Sequence, residues 1–364
     1  MRRIPLLDGW RAVAIALVLV HHVVQGFYSS QDTYAADITR YGAFGVDIFF
    51  GLSGLLITRL LLEEWKSAGG FHLQQFYVRR AFRILPPVFV FLAVYTTAGL
   101  SKSTTEVVSS LLFFRNYVPS RLTGFGTGHL WSLAVEEHFY LIWPGLLALL
   151  GPRRSRHTAA WLALGFGVWR MIESQLATPL FPEVPAHFRT DLRLDALLWG
   201  CLVAFLLDGA KEREHFARQT RLPYWLGAVA LAILCVRYYS PATSIGVALL
   251  IPVILAGTLV HPHWWISQAL SWGPLAWLGR ISYRFVPGLS WISQACGVPG
   301  LTTSRCMDQP FSDCRSYTSP TPNCPPDSGC QSALSPTASR RCGVHWPPPA
   351  FCGSGSSQVG GYEV

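Results

Sequence analysis

The sequence predicts an all-α fold, a polytopic bundle of membrane-spanning helices. Three observations carry that prediction. Of 364 residues, 51% are hydrophobic and only 13% charged, with a mean hydropathy of +0.31. An ordinary soluble domain carries roughly a quarter charged residues. Apolar stretches near the roughly 20 residues that cross a bilayer as a helix occur at 10–28, 42–62, 84–100, 129–150, 158–174, 191–208, 222–238 and 244–260. The basic residues gather between these stretches and not along one stripe, so the net charge of +9 reads as cytoplasmic loops, and nucleic acid is not an expected partner.

The elements follow in order. MRRIPLLDGW opens like a signal peptide, but no small-x-small cleavage site follows the apolar run, so 10–28 reads as an uncleaved first span. With the N-terminus inside, the inner loops are 63–83, 151–157, 209–221 and 261 onward. They carry EEWKSAGGFHLQQFYVRRAFR, GPRRSRH and GAKEREHFARQTR. The outer loops, 29–41, 101–128, 175–190 and 239–243, hold fewer basic residues for their length. The positive-inside rule thus agrees with eight spans. The stretch 106–118 is too short to cross and reads as re-entrant or interfacial. WWISQALSWGPLAWLGRISY, 264–283, reads as an interfacial stretch leading into another span.

Ionisable groups inside these spans point to function, because hydrocarbon penalises them unless they pair or face a cavity. In DGWRAVAIALVLVHH, Arg11 and His22 are 11 apart, about three helical turns and only roughly 20° off one face. His21 sits about 80° away from Arg11. Arg11 lies near the inner surface, and His22 about 16 Å further out. Asp47 in the second span, Glu136 and Glu137 in the fourth, and Asp191, Arg193 and Asp195 in the sixth fall near the outer ends of their spans, at the expected depth of His22. Structural pairs such as Asp195 with Arg193, or a histidine that only packs, account for some of them. One polar cavity in the outer half accounts for all. On the inner side FYVRRAFRILPP sets Arg80 and Arg83 on one helix face beside Arg79. Such arginines anchor topology or form an anion site, because the guanidinium fork suits phosphate.

Together these pieces resemble the membrane-bound acyltransferase 3 family, the O-acyltransferases of bacterial surface glycans. The matching stretches are LDGWRAVAIALVLVHH, GVDIFFGLSGLLIT, FYVRRAFRILPP, HLWSLAVEEHFYLIWP, RLDALLWG and LGRISY, in family order over residues 6–283. The resemblance implies a bundle of about ten spans in the bacterial cytoplasmic membrane. It implies an acyl group, acetyl in the simplest case, passing from cytoplasmic acyl-coenzyme A to a hydroxyl of a sugar-containing acceptor outside. It makes His22 the catalytic histidine with Arg11 as its partner, matches Arg80 and Arg83 to the family's basic pair, and matches Glu136 to the acid of WSLxxE. Ser132 of that motif, with Asp47, Arg193 and Asp195, joins Arg11, Arg80 and Arg83 as candidates for binding substrate or donor. A neutral imidazole suits a general base toward a sugar hydroxyl, and Glu136 or Asp47 is expected to fix its tautomer.

No permanently bound cofactor, metal or serine nucleophile is expected, since no ligand cluster, Gly-rich nucleotide loop or GxSxG elbow is visible. Membrane lipids and a glycoconjugate acceptor are the expected partners. A proton-coupled transporter would also bury Asp, Glu and His, but it has no evident need for the inner arginines. A structural scaffold would not need carboxylates on three spans.

After Tyr283 the family pattern stops. Residues 284–364 hold 11 of the chain's 25 prolines, 13 serines, seven of its nine cysteines and no lysine. This Cys/Pro/Ser-rich tail reads as a disulfide-rich extension, a zinc site or out-of-frame translation. A tail placed inside keeps its thiols reduced, and spacings such as Cys306 to Cys314 fit no usual zinc pair. The out-of-frame reading is favoured, with a disordered product that lacks the last two family spans. Translating the gene in its other two frames past codon 283 is expected to yield an apolar span in one of them; its absence from both sinks the idea.

Overall fold

The computed structural model describes residues 4–27, 33–176 and 178–285. The tail from 286 on, with the readings made of it, lies outside the described residues. The described elements are helical, with no strand among them: α1 (Pro5–Phe27), α2 (Thr33–Ala68), α3 (Leu73–Thr97), α4 (Thr104–Leu111), α5 (Leu130–Glu173), α6 (Leu194–Asp208), α7 (Ala210–Gln219), α8 (Leu222–Arg237), α9 (Pro241–Val260), α10 (Trp265–Leu270) and α11 (Gly273–Phe285).

Every apolar segment expected to span is helical, but not every one is a full-length span. Among the described residues, α1, α2, α9 and α5, the last counted as one element across its break at Gly151, are long and apolar enough to cross a bilayer; α7 and α8, bent 74° to each other, add another if the pair is one span. The expected count of eight therefore holds for helices, not for full-length spans. α6 has 15 residues and α8 has 16, about 22–24 Å of helix against a hydrocarbon core of about 30 Å. The stretch 106–118 is α4 plus a 3₁₀ turn at Arg115–Tyr117, too short to cross.

α5 is two helices joined at Gly151, whose φ of 71° lies where glycine has no Cβ penalty. Its halves, 130–150 and 152–173, run back to back. His138 hydrogen-bonds Thr190 at 2.7 Å, and Trp169 donates to the carboxylate of the next residue, Asp191, at 2.9 Å. Along one straight helix, residues 138 and 169 would stand about 46 Å apart.

Close approaches set the register of the bundle. A Cβ on Gly42 would fall against Leu17 and His21, and one on Gly45 against Ala14 and Val18, so α1 and α2 run antiparallel with their backbones nearly touching. α2 meets α6 the same way: a Cβ on Gly54 would lie 1.9 Å from the carbonyl oxygen of Leu197, and one on Gly200 2.5 Å from that of Gly51. Small residues at crossings let helices pack by direct backbone contact. Around these crossings, Phe50, Val135, Phe139, Trp143 and Leu197 form one core, and Leu7, Ala14, Leu52, Ile251 and Leu255 another. Trp143 donates its indole N–H to Thr58 at 2.9 Å, so its one polar atom is satisfied in apolar surroundings. Phe82, Val90, Leu141, Ile142, Leu149 and Trp161 face outward on α3 and α5, an apolar exterior suited to lipid.

Gly54→Val is expected to force α2 and α6 apart and destabilise the bundle by about 3 kcal/mol. Thermal unfolding in detergent, with Gly227→Val on an open face as control, measures it.

Candidate active site

Polar side chains form three groups along the bundle, ordered by the α1–α2 register. The first lies toward the N-terminal end of α1. Arg11 donates to Asp8 at 2.7 Å, one turn back on the same helix. Glu136 of α5 accepts from Ser53 Oγ of α2 at 2.8 Å and from the Tyr140 hydroxyl at 3.3 Å, and Arg11 acts on it through space. Arg80 of α3 donates to Glu137 at 3.2 Å, and its guanidinium stacks on the Tyr140 ring. Arg80 is thus drawn into this carboxylate group, while Arg83 lies on the exposed face next to it. The expected pair of arginines presented alike to a phosphate is not what the helix displays.

The second group crosses the middle. Arg193, just before α6, donates to Asp47 of α2 at 2.6 Å, and Arg170 of α5 pairs with Asp195 of α6. Arg170 also donates to Ser244 of α9 at 2.9 Å. The pairing anticipated between Asp195 and Arg193 is replaced by these two inter-helix pairs. Residues two apart do not face each other on a helix, so each turns to a neighbouring element. Asp191, anticipated inside the sixth span, sits instead in the 3₁₀ turn Thr190–Leu192, paired with Arg189 at 2.6 Å.

The third group lies at the far end of α1. The ring of His21 donates from Nδ1 to the carbonyl of Thr39 at 2.7 Å, and His22 meets His21 edge-on with ring centroids 5.1 Å apart. His129, immediately before α5, lies within electrostatic range of His22, and His187 within range of His21 and Arg193. Ser132 donates to the carbonyl of His129 at 3.1 Å, so its hydroxyl is spent on its own helix turn. A buried Glu106 orders the segment 98–128 over this end. It accepts from Thr127 at 2.6 Å and Tyr95 at 3.2 Å, while Arg115 donates to Thr127 at 3.0 Å.

The register overturns one expectation. Gly45 packs at Ala14 and Val18. Ser53 lies eight residues further along α2, about 12 Å, in the direction of Arg11. Glu136 therefore sits near the level of Asp8 and Arg11, not at that of His22, and Asp47 lies between. Among the described residues no carboxylate hydrogen-bonds His22: Glu136 is held by Ser53 and Tyr140, and Asp47 by Arg193. The role of fixing the His22 tautomer, expected of Glu136 or Asp47, falls to neither. The same register separates Arg11 from His22, and the two make no direct contact.

Ser53, Tyr140, Arg170 and His129 were missed from sequence. His129 and Ser53 stand inside the quoted stretches HLWSLAVEEHF and GLSGLLIT, and an arginine in the apolar run 158–174 was itself a signal. No group of three His, Cys, Asp or Glu among the described residues is placed to hold a metal ion.

An apolar helical exterior around a line of charged and titratable side chains defines an integral membrane protein. The chain belongs to the acyltransferase 3 family: that family's model, described as an acyltransferase domain, matches residues 4–285. It is similar to the peptidoglycan O-acetyltransferase OatA of Listeria monocytogenes, 30% identical over 311 residues, covering 77% of this chain and 48% of OatA. YrhL of Bacillus subtilis, a candidate peptidoglycan O-acetyltransferase, is 32% identical over 312 residues, with 78% and 47% covered. A candidate O-acetyltransferase of Staphylococcus aureus is 28% identical over 314 residues, with 78% and 49% covered. The chain spans about half the length of these curated relatives. No solved structure matches it significantly.

Asp47→Asn is expected to strand Arg193 inside the bundle and cost about 3 kcal/mol. Adding Arg193→Gln should recover part of that loss. Denaturation of the single and double variants in detergent checks both.

Proposed function

We propose that this chain transfers an acetyl or similar acyl group from cytoplasmic acyl-coenzyme A to a hydroxyl of a glycan outside the bacterial cytoplasmic membrane, with its N-terminus inside. Peptidoglycan is the acceptor that the names of OatA and YrhL suggest. The observation that carries the reading is the ordered line of polar groups through an apolar bundle, from Arg11, Arg80 and Glu136 at one end to His22 at the other, in a chain of this family.

In this reading the arginine end meets the donor. Arg11, Arg80 and the exposed Arg83 supply positive charge for its phosphates, and Glu136 and Glu137 hold Arg80 in place until the donor arrives. The donor is a substrate, not a resident cofactor. Asp47, Arg193 and Asp195 hold the helices around the passage. His22 meets the acceptor. A sugar hydroxyl is a weak nucleophile, and a neutral imidazole that takes its proton during attack on the thioester contributes typically 10²–10⁴-fold.

Membranes carrying the chain are expected to move label from acetyl-coenzyme A onto glycan. His22→Ala should lower that rate at least about 100-fold with the protein amount unchanged. A variant with near-normal transfer would remove His22 from the chemistry.

A further inference from the structure

We propose that the cleft between α5, α6 and α7 binds the headgroup of an anionic phospholipid, with its phosphate between Lys211 and Arg156 and the start of an acyl chain against Leu206 and Phe216. The site is separate from the polar groups assigned to acyl transfer.

α7 differs from the helices around it. Its sequence AKEREHFARQ is charged, its one buried residue is Phe216, and it turns 74° away from α8. A short basic helix with an apolar anchor, set across the ends of spans, suits the plane of the membrane surface. Its neighbours fix it there. Lys66, near the end of α2, donates to Asp208 at 2.5 Å, and Arg156 of α5 pairs with Glu212 at 3.8 Å. The ring of His261, just after α9, donates to the carbonyl of Ala217 at 3.1 Å. The four basic segments that the sequence sets on one side of the membrane thus meet at this helix.

Between α7 and the ends of α5 and α6 is an open cleft of about 410 Å³, within the roughly 300–1,000 Å³ of small-molecule sites. Lys211, His215 and Gln219 stand four residues apart, on one face of α7, and line it. Leu206 and Phe216 give it an apolar wall, and Arg156 lines it from α5. The charges in it do not cancel. Glu212 folds back over the start of its own helix, where its Oε2 would lie 2.1 Å from a Cβ on Gly209, and it faces Arg156. Lys211 makes no ion pair among the described residues. A second cleft, of about 400 Å³, lies on the other flank of α7 and takes its charges from Asp208, Arg213 and Glu214. There two acids meet one base, so only the first cleft has a surplus of positive charge.

The cleft opens beside lipid-facing surface, which favours a lipid as its occupant. Trp161 and Leu164, five and eight residues beyond Arg156 on α5, are 73% and 49% exposed. Leu206 is two residues from the end of the apolar α6. A phosphodiester at Lys211 would therefore carry its chains toward hydrocarbon. Each Lys or Arg near an anionic membrane surface is worth about fivefold in affinity. A zwitterionic headgroup brings no net charge to match the surplus.

Native mass spectrometry of the purified full chain in neutral detergent, with dioleoyl-phosphatidylglycerol or dioleoyl-phosphatidylcholine added, reads the affinity of the tightest bound lipid. Wild type is expected to hold phosphatidylglycerol at least about tenfold more tightly than phosphatidylcholine. Lys211→Gln, which breaks no ion pair, should weaken phosphatidylglycerol about fivefold, and Lys211→Arg should keep it. Lys211→Gln with Arg156→Gln should weaken it at least about tenfold. The Arg156–Glu212 pair is exposed, so losing it costs the fold little. Arg213→Gln, in the second cleft, should leave the affinity within about twofold of wild type, well below the loss for a cation at the site. Equal binding of the two lipids, or an unchanged affinity in the double variant, overturns the proposal. Displacement of phosphatidylglycerol by equimolar inorganic phosphate or acetyl-coenzyme A also overturns it, because the cleft would then serve a soluble phosphate compound.

Discussion

A guanidinium in hydrocarbon is stable only beside an anion, and that constraint organises the middle of this bundle. Arg193 reaches from the start of α6 to Asp47 on α2, and Arg170 reaches from α5 to Asp195 on α6 and Ser244 on α9. Two charge pairs tie α2, α5 and α6, and the Ser244 hydrogen bond adds α9. Removing one partner leaves an uncompensated charge, which is far more damaging than the net value of an intact pair. The glycine crossings at Gly54 and Gly200 bring α2 and α6 close enough for these side chains to meet. Packing and electrostatics therefore specify the same arrangement.

The apolar segments were legible because composition alone separates hydrocarbon from water. The fold of α5 back on itself was legible too, since GPRRSRH interrupts two apolar runs and Gly151 stands at the break. Depth was not legible. Each carboxylate was placed by counting from the end of its own apolar run, as if those ends lay in one plane. They do not: α2 begins at Thr33, well before its apolar run, and its offset against α1 is set by where Gly42 and Gly45 seat on the neighbouring backbone. Helix offset is a property of pairs of surfaces, and a single sequence does not display it. That is why Glu136 was assigned to His22 and is found at the level of Arg11.

Choosing His22 over His21 by helical spacing rested on firmer ground, because a rotation of about 100° per residue is fixed by backbone geometry. Thr39 then occupies His21, while His22 forms no hydrogen bond among the described residues. What surrounds His22 could not be found the same way. His129 is over 100 residues away in sequence, and its place depends on Glu106 and Arg115 ordering the segment between α3 and α5. Its unpaired Nε2 becomes visible only once every neighbour is in position.

The central network has a further property. With its two arginines and two aspartates ionised, it carries no net charge. A membrane voltage does work on displaced charge, about 2.3 kcal/mol per elementary charge per 100 mV. Moving this network as a unit across part of the bilayer therefore involves no such work. The scaffold stands equally well in an energised and a depolarised membrane. In the proposed reaction, what feels the voltage is the transient proton on an imidazole at one end of the bundle and the anionic donor at the other.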